Sequence, residues 1–321
     1  MREMVVDKKS DGFRLDQFLE EALPSLPYDE LRKYIRSKRI KCNRKRCRAG
    51  QKVFQGDVLQ LYIPEDALNA AESEQHFLQS VKPDFSIVYE DENLILADKK
   101  PGMLVQEENA PNRNTLLGHI RAYLYQKGEW NPDDEKSFVP VLCNRIDQNT
   151  GGIVIAAKNA ATFGILNEKI KNQEITKKYL CITVGQVKPA AGQLKYFLLK
   201  NSRKKRVDVF LNPVPDGRTA VTNYRTLASE GGLNLVEAAL ITGRTHQIRA
   251  SFAKAGFPLL GDDKYGRWDL NQQYGETKQA LYSYMIRFDF TGYSGHLEYL
   301  QGKSFQAERI PFIEKYFPNY K

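Results

Sequence analysis

The stretch "FVPVLCNRIDQNTGGIVIAAK", residues 138 to 158, sets an arginine and an aspartate two positions apart between two apolar runs. Short runs rich in Val, Ile and Leu, bounded by turn residues, read as buried strands. Arg145 and Asp147 therefore stand where two strands break, just ahead of Gly151 and Gly152. Glycine at such a junction permits close approach of another backbone or of a ligand. A carboxylate taken out of water there keeps its charge only beside a cation. The plainer reading is an aspartate bonded to turn amides, the commoner fate of a lone Asp near a turn.

Further strands are expected at "FSIVYE", "LILAD", "KYLCITVG", "AVTNYRTL", "LVEAALI" and "LYSYMIRFDF". Helical spacing marks "TLLGHIRAYLYQ", "ATFGILNEKIKN" and "RTHQIRASFAKAG". Strands outnumber helices and do not alternate with them, which predicts an α+β domain over 84–321 with a mixed, mostly antiparallel sheet. Its last ~30 residues, rich in aromatics, are expected to pack back onto the body. The polar, acidic segment 65–83 reads as a linker. Ahead of it, 1–64 forms a second small domain, whose "RLDQFLEEAL" and "YDELRKYIRSKRI" each repeat apolar residues at helical spacing.

Lys and Arg outnumber Asp and Glu 48 to 39, a net charge of +9. That surplus favours a polyanionic partner, nucleic acid first. It gathers between 29 and 52, where Asp29 and Glu30 are the only acids. One face of the second helical segment carries Arg32, Lys33, Arg36 and Arg39, and the basic turn "NRKRCR" follows. A charge run is usually a solvated face. A one-sided basic helix beside a basic turn favours a phosphate-binding surface.

Several chemistries lack support. No stretch approaches the ~20 apolar residues that span a bilayer, and the first residues lack the apolar core of a signal peptide. Four cysteines do not make a disulfide framework, and free thiols in a reducing cytoplasm are expected. Phosphate-loop, dinucleotide-loop and nucleophile-elbow patterns are missing, so no cofactor is expected. His76, His119, His246 and His296 are not spaced to share a metal on one helix face, so no metal is expected either. Chemistry then falls to carboxylates, Tyr, Lys, Arg or a lone His.

Two more stretches stand out. In "ITGRTHQIRASFAKAGFPLLGD", residues 241 to 262, Thr245 is expected to cap a helix on which Ile248 and Phe252 face the core. Arg249 is flanked by Ile248 and Ala250, a poor place for a solvated charge, and a nearly buried Arg needs a carboxylate or phosphate partner. In "TKKYLCITVG", residues 176 to 185, Tyr179 opens a strand and shares a face with Cys181 and Thr183. Alone, it reads as an ordinary strand tyrosine.

Together these stretches resemble the RluA family of RNA pseudouridine synthases. The resemblance rests on Arg145-Ile146-Asp147 with Thr150 and Gly151, on Lys177-Lys178-Tyr179, on Gly243 through Arg249 unbroken, and on Gly261-Asp262 and Tyr265-Gly266. "VYEDENLILADKKPGMLV", "RKKRVDVF" and "TAVTNYRTL" support it, and it covers about 85–290. The chain departs from the family at Asn144, Gln106 and Gly151, where His, His and Ser are common. Residues 13–64 resemble the S4 RNA-binding domain, through "RLDQFL", the basic helix and "IKCNRKRCRAGQKVFQGDVLQL", with Arg44 where a glycine is frequent.

The resemblance implies an isomerase that detaches uracil from ribose at C1′–N1, rotates it and rejoins it through C5. It implies Asp147 as the reacting carboxylate, Arg249 as its partner and Tyr179 packed on the uracil face, where it could accept the C5 proton. Arg145 would fill the space left by the flipped uridine. Arg203, Lys204 and Lys205, with the basic helix, would hold phosphates. Large-subunit ribosomal RNA is the expected substrate, with transfer RNA the alternative, and a cytoplasmic monomer without membrane contact is expected. Rival readings are a non-catalytic RNA-binding ribosome assembly factor and a base-hydrolysing nucleosidase. The nucleosidase needs an activated water and usually a second acid group, and these motifs supply no second carboxylate.

Overall fold

A computed structural model describes the chain except residues 1, 24, 25, 27, 65–75, 107–113, 135, 136 and 321. The described residues divide into two units, Met1–Val81 and Lys82–Lys321. Of the expected linker, 65–75 lie outside the described residues, and 76–80 are helical.

In the first unit, α1 (Leu15–Ala22) and α2 (Tyr28–Arg36) pack on a small antiparallel sheet. Its order is β1 (Arg2–Val5), β4 (Val58–Leu61), β2 (Ile40–Cys42), β3 (Lys45–Arg46). Leu15, Phe18 and Leu19 of α1 meet Leu31 and Ile35 of α2 in one core, as their spacing predicts. With that stripe buried, Arg32, Lys33 and Arg36 are left exposed. Strand β1 gave no sequence signal. It is an edge strand with mostly exposed side chains, held by backbone pairing to β4 rather than by an apolar face.

The second unit is built on an eleven-stranded sheet. Its strands are β5 (Ser86–Glu90), β6 (Leu94–Lys99), β7 (Val141–Leu142), β8 (Gly151–Ala157), β9 (Ile175–Val184), β10 (Ala191–Asn201), β11 (Arg206–Phe210), β12 (Arg218–Glu230), β13 (Leu233–Leu240), β14 (Leu281–Phe288) and β15 (Ser304–Gln306). The order is β11-β10-β12-β13-β9-β14-β8-β6-β5, with β15 beside β14 and β7 beside β8. Every pair is antiparallel except β8 with β14. The fold is α+β with a mixed, mostly antiparallel sheet.

The β8–β14 pairing explains the paired glycines. Gly151 lies opposite Tyr282 and Gly152 opposite Ser283. Gly152 has φ of 112°, and a Cβ there would sit 2.3 Å from the Ser283 carbonyl oxygen. Only glycine lets the two backbones lie this close. The apolar run "FVPVLC" is shorter as a strand than expected, since only Val141–Leu142 pair with β8.

Helices α3 (Leu116–Gln126), α4 (Ala160–Lys171), α5 (Gln247–Lys254), α6 (Trp268–Tyr274) and α7 (Pro311–Tyr316) complete the unit. Helix α5 sits across two clusters: Ile248 and Phe252 pack with Tyr179, Cys181 and Val236, and Ala250 packs with Tyr196, Leu198 and Val207. Ile310 and Phe317 near the C-terminus join Leu180, Ile182 and Leu235, so the tail does pack back. Among the described residues no helix is long and apolar enough to cross a membrane.

Candidate active site

Asp147 lies in the turn between β7 and β8, on the wall of a cleft of about 990 Å³. Arg249, from the first turn of α5, donates from Nη1 to Asp147 Oδ2 at 3.0 Å. Its remaining nitrogens are also engaged. Nε and Nη2 form a fork on the two oxygens of Asp262, at 2.7 and 2.8 Å, and Nη2 reaches Asp263 Oδ1 at 2.9 Å. The Arg249 side chain is 4% exposed, Asp262 0% and Asp147 26%. A guanidinium buried this far requires matched charge. Burial works against its charge, yet the Asp262 and Asp147 carboxylates outweigh that and hold its pKa above the usual arginine value. Asp147 Oδ1 accepts no hydrogen bond from the described residues, so one carboxylate oxygen is anchored and the other is left for a ligand.

Tyr179, on β9, lines the same cleft and is buried. Burial first, and then the Asp147 charge, push its phenol up to about 12 against the opposing hydrogen bond with Ser283. The side chain is thus a neutral phenol at physiological pH. It stands midway along β9, which begins at Ile175 and not near Tyr179 as expected. Arg145, exposed and next but one to Asp147, completes the group in the cleft.

Thr245 does not cap α5. The helix begins two residues later, and its cap position is His246 in the left-handed region. Gln247 does the local satisfying: its Oε1 accepts from the Arg244 backbone N–H at 3.0 Å and from Thr242 Oγ1 at 2.8 Å. A buried glutamine side chain thus replaces the hydroxyl cap and draws the loop tight before the helix begins.

Other groups at the site carried weak sequence signals. Asp262 takes the larger share of Arg249, and Oδ1 of Asp262 also accepts the backbone N–H of Lys264 and Tyr265, at 2.9 and 3.0 Å. The need of a buried Arg for a partner pointed to it, but Asp147 was the carboxylate in view. Lys99 is fully buried, and its Nζ donates to the carbonyls of Lys100, Met103 and Gln148 at 3.0, 2.8 and 2.8 Å. It clamps the loop after β6 to the residue that follows Asp147. Burial lowers its pKa to about 8, although the Asp147 charge opposes the shift. Asn144 accepts the Ile155 N–H at 2.8 Å and so caps the β8 ladder.

The basic residues divide. Arg203, Lys204 and Lys205 are exposed on the turn between β10 and β11. In the first unit, Arg32 and Arg36 line a concavity of about 920 Å³ together with Lys38, Arg46 and Arg48, and Lys33 and Arg39 are exposed outside its lining.

Residues 93–254 match the family model described as RNA pseudouridylate synthase. The chain is 30% identical over 267 residues to the ribosomal large subunit pseudouridine synthase C of Rickettsia prowazekii, covering 80% of this chain and 84% of that protein. It is 28% identical over 293 residues to the protein of the same name from Vibrio vulnificus, covering 88% and 87%. The solved structure of human RNA pseudouridylate synthase domain containing 4 shares the fold, with a TM-score of 0.55 at 21% identity over 71% of this chain and 89% of that one. A cleft with one open carboxylate oxygen, on this sheet and in this sequence context, is consistent with that match, and the chain belongs to the RNA pseudouridylate synthase family, isomerases of uridine in RNA.

Proposed function

We propose that this chain converts uridines of large-subunit ribosomal RNA to pseudouridine, with Asp147 as the carboxylate that triggers glycosidic cleavage. The observation that carries the site assignment is the asymmetric carboxylate: Oδ2 is held by Arg249, and among the described residues none donates to Oδ1. A carboxylate fixed through one oxygen on the wall of a cleft suits attack on a flipped nucleotide. The ribosomal target is supported by the names of the Rickettsia and Vibrio relatives.

In the reaction the C1′–N1 bond breaks, the base turns, C1′ bonds to C5, and the C5 proton leaves as N1 gains one. No electrons are exchanged. Extracting the base costs on the order of a few kcal/mol of unstacking, which phosphate and stacking contacts offset. Tyr179 packs against the everted base, and Arg145 fills the gap left in the helix. Arg203, Lys204 and Lys205 hold backbone phosphates, as do Arg32, Lys33, Arg36 and Arg39 of an S4-like unit. The enzyme works as a monomer in the cytoplasm.

The test is to map pseudouridine in RNA from cells with and without the protein. Loss of specific sites in large-subunit ribosomal RNA is expected. Sites lost only from transfer RNA would move the target. Unmodified but bound RNA would indicate an assembly factor, and abasic sites a hydrolase.

A further inference from the structure

His246 holds φ of 53°, left-handed backbone that a non-glycine residue takes at a cost. Its ring lines the cleft beside Asp147. Tyr265 Oη stands 2.9 Å from His246 Nδ1 and accepts the backbone N–H of Val207 at 2.7 Å. The phenol has one proton to give, and among the described residues Nδ1 is the acceptor within reach, so the phenol donates to Nδ1. Burial lowers the imidazole pKa below its ordinary value. Arg249 and Lys264 act in the same direction, and Asp147 and Asp262 oppose them. A neutral ring that accepts at Nδ1 carries its hydrogen on Nε2. Nε2 lies 3.9 Å from Asp147 Oδ2, the oxygen already held by Arg249.

We propose that His246 is a positioning residue for the isomerisation. Tyr265 fixes its Nε2–H tautomer, and Nε2–H acts with Arg249 Nη1 on Oδ2, so that Oδ1 is the oxygen presented to the uridine. The proposal rests on the reading of Asp147 as the reacting carboxylate. At 3.9 Å the Nε2–H dipole of the neutral ring faces the carboxylate charge without a hydrogen bond. A hydrogen bond needs about 3 Å, and that closure accompanies entry of the nucleotide and expulsion of water from the cleft. The same chain of contacts reaches the basic hairpin: Val207 is the second residue of β11, and Lys264 Nζ donates to the Lys205 carbonyl at 2.9 Å.

The test uses two substitutions in the full chain. His246→Asn tolerates left-handed backbone but places no donor at the Nε2 position. His246→Gln carries an amide nitrogen to about that position. Single-turnover rate at saturating RNA and RNA Kd are measured for both. The Asn variant should react about 30- to 100-fold more slowly with Kd changed less than about threefold, and Gln should recover at least about tenfold of the loss. In Tyr265→Phe the ring loses the partner that holds its hydrogen on Nε2, so the single-turnover rate should fall by about threefold or more with Kd changed less than about threefold. A wild-type rate for Asn, a Gln variant no faster than Asn, or a wild-type rate for Tyr265→Phe each overturns the role of His246. Turnover by Asp147→Asn would instead remove the reading on which the proposal rests, which keeps the two failures apart.

Discussion

Arg249 belongs to Asp262 more than to Asp147. The fork on Asp262 is fully buried, and Asp147 takes the one remaining nitrogen at a partly open position. Arg249→Ala strands a carboxylate with no access to water, so a loss of about 3–5 kcal/mol is expected along with activity, read by thermal melts and turnover. Lys99 supplies a pH signature. Its pKa falls from 10.5 to about 8 on folding, so between those values the unfolded chain binds more protons and stability rises with pH. Lys99→Met should flatten that rise; an identical pH–stability curve for the variant would contradict the clamp. At this scale the sequence showed the two ends of one ion pair. A buried arginine between apolar neighbours implies a carboxylate, and Asp147 stood at a strand break. It did not show His246, Lys99 or the dominance of Asp262. A lysine in "DKK" looks solvated until the carbonyls of the loop that follows it and of the distant Gln148 are brought round it.

The elements were legible where apolar periodicity was clean and illegible where it was blurred. Helices α1 to α5 and strands β6, β8, β9 and β13 follow their patterns. In β10, "AGQLKYFLLKN", Phe197 and Leu199 put apolar residues on the outward positions and blur the alternation, and pairing with β11 and β12 holds it in place. The start of α5 was misplaced because a glutamine side chain, not a hydroxyl, closes the loop. Gly152 ties the Asp147 turn to β14, and Gly152→Ala should cost about 2–4 kcal/mol, because the added Cβ meets backbone that cannot yield. A melt unchanged within error would refute that contact. The β10–β11 turn makes a separate prediction. Replacing Arg203, Lys204 and Lys205 by alanine should weaken RNA binding and reduce the slope of log K against log salt by about 2–3, with the single-turnover rate at saturation retained.

Across the whole molecule, exposed basic residues lie in both units and the cleft residues in one. Asp147, Tyr179 and Arg249 all lie in Lys82–Lys321, and the basic helix α2 lies in Met1–Val81. The surplus of cations pointed to a polyanion before any fold was known, but composition could not say which segment did chemistry and which held phosphate. The sheet gathers 147, 179 and 249 from three separated stretches into one cleft. The account therefore depends on a single carboxylate. The most direct test is the amount of pseudouridine formed by Asp147→Asn under single-turnover conditions on a wild-type substrate RNA, with RNA Kd measured alongside. A rate at least about 1000-fold below wild type with Kd kept within about tenfold is predicted. Pseudouridine formed by the variant at near the wild-type rate would contradict it.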